Sequence, residues 1–214
     1  MKLKQLKNLL AASSLAIFAP LASAGVVVYD FADVDHWYGK SLGQSTQFTE
    51  NGLTLTVSAL QQQGSGWIDG GRDVWHDGNA WGAKGLGVKL PGTNDNWEID
   101  GWGASEGLKF SFDWEVELTS IRTWFGDRND DWNLSIRDGD GWDTILDDAY
   151  SAQYESDIST REFILWADHR NDSFTVKNIS VHHDDGDKVS VPEPSTITLL
   201  ALGFAGLLFS RRRT

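Results

Sequence analysis

From Leu108 to Leu118 the chain alternates without a break: Leu108, Phe110, Phe112, Trp114, Val116 and Leu118 are interleaved with Lys109, Ser111, Asp113, Glu115 and Glu117. A helix would scatter these side chains round its circumference, whereas an extended backbone puts every second one on the same face. The stretch is therefore a strand with one face in a core and the other in water. Ile121 breaks the parity. A bulge or turn near Thr119 and Ser120 would re-aim the strand that continues through Trp124 and Phe125. Equally, a turn at Asp113 and Trp114 would divide it into two strands.

The rest of the body reads in the same way. Residues 26–31 are β-branched and aromatic, and Leu53, Leu55, Val57 and Ala59 alternate with Thr54, Thr56 and Ser58. Residues 61–81 are rich in Gly, Asp, Asn and Trp and read as a long loop with one short strand near Trp67 and Ile68. Gly85-Leu86-Gly87-Val88 opens another strand. Further strands are expected at Leu134 and Ile136, at Ile145 and Leu146, and over residues 150–154, 163–166 and 174–181. Roughly ten short strands with no convincing helix predict an all-β domain, a two-sheet sandwich of jelly-roll type.

Both ends of the chain differ from this body. Lys2, Lys4 and Lys7 precede an apolar run over residues 9–21, and Ala22-Ser23-Ala24 supplies the small residues of a signal-peptidase site at Ala22 and Ala24. Residues 1–24 are thus expected to be a removable secretory signal. At the other end, Val191-Pro192-Glu193-Pro194 is followed by an uncharged apolar segment over residues 197–209 and by Arg211, Arg212 and Arg213. The prolines fix φ and remove two backbone donors, which holds the motif extended. The apolar segment is shorter than the roughly 20 residues of a comfortable membrane span, so it reads as a temporary transmembrane anchor. The arginines would keep its end cytoplasmic.

In its order of motif, short apolar helix and arginine cluster, the segment 191–214 resembles the PEP-CTERM sorting signal, a bacterial C-terminal tag recognised and cleaved by an exosortase. That resemblance implies an inner-membrane-anchored precursor, processing by exosortase, and delivery to the cell surface or biofilm matrix in a species that makes extracellular polysaccharide. It implies no biochemical activity. The segments 85–88, 98–100 and 106–112 also look like a recurring pattern among exported domains with this signal. The expected organisation is a signal peptide over 1–24, a β-domain over 25–183, an acidic linker over 184–190 and the sorting signal over 191–214.

Removing both tags changes the charge. The full chain carries −13, and residues 25–190 alone hold 12 basic against 30 acidic side chains, or −18. Such a domain repels nucleic acid and attracts cations. There is no cysteine, which excludes thiol catalysis, cysteine-based zinc sites and disulfide cross-links. All 11 tryptophans fall in the mature domain, too many for every one to be explained by loops, so several should be core.

Two constellations are candidates for binding. Asp127, Asn129 and Asp131, then Asp138, Asp140 and Asp143, place hard oxygen donors on short polar turns, as a calcium site requires. Trp132 and Asp138 stand where an EF-hand needs Gly and Glu, so any calcium site is of another kind; the plain alternative is a set of solvated turns. Trp67, Trp75, Trp81, Trp97, Trp102, Trp132 and Trp142 lie in or beside Gly/Asp/Asn-rich segments. An indole face stacks on the apolar face of a sugar ring while neighbouring Asp and Asn take its hydroxyls, so these residues point to carbohydrate contact. The alternative is that they plug the ends of the sandwich.

Catalysis has weaker support. Glu98 and Asp100 begin a Glu-x-Asp-x-x-Glu pattern like that of jelly-roll glucanases, but Gly103 occupies the third place. Asp113, Glu115 and Glu117 share one face of an extended strand, as on any wet face. His182 and His183 are adjacent and would point apart, and Asp168-His169 has no serine nucleophile motif. The sequence therefore predicts an exported, non-catalytic surface or matrix protein with exosortase as its processing partner and extracellular polysaccharide as its ligand. A secreted glycan-active enzyme is the alternative.

Overall fold

The computed structural model describes residues 25–32, 39–64, 66–78, 84–93, 97–125 and 129–183. Residues Ala24–Asp184 gather into one compact unit. The signal site at Ala22 and Ala24, the linker, and the sorting residues Val191, Pro192, Glu193, Pro194, Arg211, Arg212 and Arg213 lie outside the described residues, as do Trp81 and Asp127. Among the described residues every regular element is a strand, and no helix is long and apolar enough to cross a membrane.

The alternating stretch forms the spine, a strand of 20 residues, Glu106–Phe125, the ninth of the chain (β9). Its first half pairs with β4 (Leu53–Gln63) on one side and with the end of β12 (Gln153–Trp166) on the other. Its second half pairs with the start of β12 and with β13 (Ser173–His183). β10 (Trp132–Asp138) and β11 (Gly141–Ala149) extend the first half beyond β12. β3 (Ser45–Glu50) and β5 (Gly66–Asp69) extend it beyond β4. On the far edge of β13 lie β1 (Gly25–Asp30), β8 (Ile99–Asp100) and β7 (Lys84–Lys89). β6 (Asp73–Gly78) and β2 (Lys40–Ser41) come next after β7. All pairs are antiparallel. The two layers expected from sequence are thus halves of one hydrogen-bonded sheet of 13 strands, with order β11-β10-β12-β9-β13-β7-β6-β2 along its main path.

Two irregularities in β9 carry the sheet from one half to the other, and the parity break anticipates one of them. Between the pairs Ser120↔Ser180 and Leu118↔Val181, Thr119 is an extra residue, and its Oγ1 donates to the Ser180 carbonyl at 2.9 Å. The larger bend lies earlier, where Arg161 alone stands opposite residues 112–115. Carbonyls freed in such a bend need donors. Arg161 supplies them: Nε donates to the Phe112 carbonyl at 3.1 Å and Nη2 to that of Asp113 at 2.8 Å. The chain does not turn back at Asp113 and Trp114, but it twists there, and Trp114 is 60% exposed although alternation places it inside.

The halves face one another across aromatic rings. Phe31, after β1, meets Phe48 at 5.0 Å between centroids and Phe110 at 6.5 Å, while Phe110 stacks on Phe163 at 4.9 Å. Tyr29 lies against Phe112, and its hydroxyl donates to the Leu53 carbonyl at 2.8 Å. Burial removes the need for further cross-links: each fully buried Phe contributes about 1.5–3 kcal/mol relative to exposure.

Two expectations are corrected. The described part of residues 61–81 is not a long loop, since β4 runs on to Gln63 and β5 and β6 take up most of residues 66–78. Pairing with neighbours outweighs the loop-like composition there. The strand expected from residue 150 starts at Gln153, with Tyr150 exposed. Gly85 and Gly87 have a common cause. A Cβ on Gly87 would lie 2.0 Å from the Trp97 carbonyl oxygen, and one on Gly85, where φ is +150°, 2.5 Å from that of Val176.

Candidate functional site

The core-facing positions of β4 are Leu53, Leu55, Val57 and Ala59, which leaves Leu60 on the opposite, outer face. Register sets Leu60 beside Gly107 and Gly107 beside Trp166. A Cβ on Gly107 would stand 3.1 Å from atoms of Ile164, Leu165 and Trp166, so the missing side chain makes a flat floor. Trp67, from β5, meets Trp166 edge-on at 5.6 Å. Across the sheet, Arg137 and Trp142 are cross-strand partners in the β10–β11 hairpin, with the guanidinium 5.2 Å from the indole centroid.

Between these groups lies a cleft of about 240 Å³ lined by Leu60, Trp67, Asp69, Lys109, Arg137, Trp142 and Glu162. Its polar groups are held in place. Lys109 Nζ contacts Asp69 at 3.2 Å, and Ser111 Oγ donates to Glu162 Oε1 at 3.0 Å. Trp166 Nε1 donates to Ser135 Oγ at 3.0 Å, and Ser135 Oγ lies 3.0 Å from Thr144 Oγ1. The cleft presents indole faces together with fixed donors and acceptors of both charges.

A second, acidic cleft of about 310 Å³ opens where β10 begins and β11 ends. Asn129, Asp131, Asp148, Tyr150, His169, Asn171 and Asp172 line it. Asn133, fully buried, ties three segments together there. Its Oδ1 accepts from the Asp148 backbone N–H at 2.8 Å, and its Nδ2 donates to Asp168 Oδ1 at 3.0 Å and to the Trp166 carbonyl at 3.4 Å. Asp148 holds φ at +52°, an uncommon conformation for a residue with a side chain. The turn between β12 and β13 is closed by the His169 N–H donating to Asp172 Oδ2 at 2.9 Å.

One atom each of Asp131, Asp148, Asp168 and His169 lies within 4.8 Å of all the others. His169 Nδ1 is 3.1 Å from Asp168 Oδ1, 3.5 Å from Asp172 Oδ2 and 3.7 Å from Asp148 Oδ1. Asp131 is 3% exposed, and its Oδ1 has no hydrogen-bond partner. Burial first, and then the charges of Asp172, Asp148 and Asp168, push the Asp131 carboxyl up to about 6. Burial also raises Asp172, while Asp168 leads the carboxylates that raise His169. The charge of Asp131 is the first cause of a raised Tyr150 phenol.

The remaining sequence candidates divide by location. Asp138, Asp140 and Asp143 stay outside the acidic cluster, exposed at the other end of the same hairpin from Asp131 and Asp148. Strand β10 separates these three from Asn129 and Asp131. Trp132 is fully buried with Nε1 donating to the Ser151 carbonyl at 3.0 Å, so it is core and not a sugar platform. Trp75 and Trp97 stack at 6.1 Å with Lys89 over both rings. Trp102 is 61% exposed beneath the Arg170 guanidinium at 3.8 Å. Of the seven candidate indoles, Trp67 and Trp142 share a cleft. Trp166 packs against Trp67 unforeseen, since it ends the continuous apolar run Phe163-Ile164-Leu165-Trp166. Asp131, Asp148 and the turn residues Asp168, His169 and Asp172 lie in three separate stretches, and no local spacing signals that these stretches converge.

Several carboxylates of the weaker candidate patterns have structural partners. Asp100 is buried, its Oδ1 accepting from the Trp102 N–H at 2.8 Å, and Glu106 pairs with Arg72. Asp113 Oδ1 accepts from the Thr54 N–H at 3.0 Å within the bend. His182 and His183 continue β13, opposite Val26 and Gly25.

Comparison with protein families matches residues 190–213 to the PEP-CTERM protein-sorting motif. No curated protein matches the chain. The motif marks an exported protein, processed by exosortase and destined for the cell surface.

Proposed function

We propose that the mature domain is a non-catalytic polysaccharide-binding protein of the cell surface or biofilm matrix, and that the outer-face cleft is its glycan site. One observation carries this reading: strand register brings Trp67 and Trp142 from two separate strands to one cleft beside Lys109, Asp69, Arg137 and Glu162, with Trp166 packed edge-on against Trp67. Rigid indoles present a large stacking surface at small entropic cost, and the flanking groups match sugar hydroxyls. A volume of about 240 Å³ on a sheet face suits one or two sugar rings of a chain lying across it. The sorting motif supports the setting, because it delivers the domain to the cell surface.

The alternative is a glycan-active enzyme, and the pair Asp69 and Glu162 in the cleft is what favours it. Hydrolysis needs one carboxyl kept protonated and a second placed across the scissile bond. Asp69 instead contacts Lys109 and Glu162 accepts from Ser111, arrangements that suit fixed charges. Titrating the processed protein with extracellular polysaccharide from producing cells separates the readings. A binder shifts its tryptophan fluorescence saturably and releases no reducing ends. Release of reducing ends that stops in Glu162→Gln would establish the enzyme, and no fluorescence change with any matrix polysaccharide would remove the binding site.

A further inference from the structure

We infer that the acidic cleft is a calcium site whose carboxylate ligands are Asp131, Asp148 and Asp168, with Asp172 at its margin. This inference is independent of the glycan reading, since it concerns a different cleft and a different class of ligand. Clustered carboxylates alone are ordinary on so acidic a surface. What singles out this group is Asp131: the residue is 3% exposed, lines the cleft, and its buried Oδ1 has no hydrogen-bond partner. A buried carboxylate oxygen left without a hydrogen bond costs stability, and a cation in the cleft removes that cost.

The spacing suits calcium. Its ligands sit at about 2.3–2.6 Å, so two oxygens on opposite sides of one ion are roughly 5 Å apart. The mutual limit of 4.8 Å among the four ligand atoms is of this size. Calcium wants six to eight oxygens. Three carboxylates, with Asp172, Asn129, Asn171 and water, can supply them. Zinc, copper and nickel favour imidazole and thiolate. Here a single imidazole faces several carboxylates, and no cysteine exists in the chain.

His169 has a defined place in this arrangement. Its ring is 59% exposed, and Nδ1 stands between Asp168, Asp172 and Asp148 at 3.1–3.7 Å. It is a competing counter-charge that can turn out to solvent when the ion enters. The site would then join the start of β10, the end of β11 and the β12–β13 turn, the same segments that Asn133 ties from beneath.

The test uses the processed protein stripped with EGTA and titrated by calorimetry with calcium, magnesium, manganese and zinc chlorides, alongside thermal unfolding. Calcium at a hundredfold excess over its Kd should raise Tm by roughly 5–10 °C, by mass action on the folded state. Asp131→Asn should abolish the calcium response while raising the Tm of the metal-free protein, since it removes a buried charge. His169→Ala should retain calcium binding. The inference is overturned if wild type folds normally but binds no calcium at 10 mM (about ten times the weakest extracellular modules). It is equally overturned if Asp131→Asn binds as well as wild type, or if zinc binds more tightly than calcium and His169→Ala abolishes that binding.

Discussion

The two clefts lie on the same β10–β11 hairpin yet differ in construction. The aromatic cleft is a property of one sheet face: its indoles and ions project from five paired strands, Lys109 and Asp69 pair their charges, and Ser111 holds Glu162 in place. The acidic cleft is assembled from strand ends and turns, with several carboxylates around one imidazole and a residue at φ +52°. A paired sheet face is rigid before a ligand arrives and loses little entropy on binding. A cluster of like charges at chain ends raises the energy of the folded state until a cation neutralises it. The first is therefore expected to contribute recognition, and the second to couple stability to the medium.

Removing Asn133 should break this comparison most strongly. Its side chain is buried and makes three hydrogen bonds that join the segments round the acidic cleft. Asn133→Ala leaves the Asp148 N–H and Asp168 without that partner, a loss of about 2–3 kcal/mol. Chemical denaturation should show this loss, the calcium response should vanish, and polysaccharide-dependent fluorescence should persist. Loss of both responses together would mean that the clefts are one cooperative unit.

Trp142→Ala addresses the other side. Its indole is partly exposed, so stability should change by less than about 0.5 kcal/mol. Polysaccharide affinity should fall roughly tenfold, as for an aromatic contact worth about 1–2 kcal/mol. Equilibrium binding measures this directly, and an unchanged affinity would place the glycan elsewhere. The calcium response should remain intact.

The smallest effect concerns Glu98, outside both clefts. Burial raises its carboxyl above the ordinary 4.5, with Asp130, Asp77 and Asp100 adding to the rise and a Ser173 hydrogen bond opposing it. The folded state therefore holds this proton more tightly than the unfolded one. Stability from this group is complete below pH 4.5 and is lost as pH rises through the raised value. Glu98→Gln should flatten that part of the stability–pH curve and raise Tm slightly at neutral pH, measured by calorimetry from pH 4 to 8. A wild-type slope retained in the variant would assign the dependence to other groups.

How much of this was legible depended on the range of the interaction. Alternation from Leu108 to Leu118 is a local pattern and indicates an extended chain; the parity break at Ile121 points to an irregularity near Thr119 and Ser120, and the register makes Thr119 the extra residue. Trp114 went the other way because the bend over residues 112–115 is set by the pairing of β12, not by its own neighbours. Residues 61–78 depart from the loop expectation because Gly, Asp and Trp there resemble a loop until β7 and β4 pair with them. Trp132 looked like a loop indole among Asp130, Asp131 and Asn133. Its burial became possible only because the Ser151 carbonyl, brought back by the β11–β12 connection, accepts the indole N–H.

Sequence alone determined what depends on order along the chain: the sorting motif and its destination, the all-β class, and the lack of any thiol. Tertiary structure alone decided which indoles share an outer face and which carboxylates meet round Asp131. The physical reason is that periodicity assigns a side chain to one face of its own strand. Which partners lie on that face is set by hydrogen-bonded register between strands far apart in sequence.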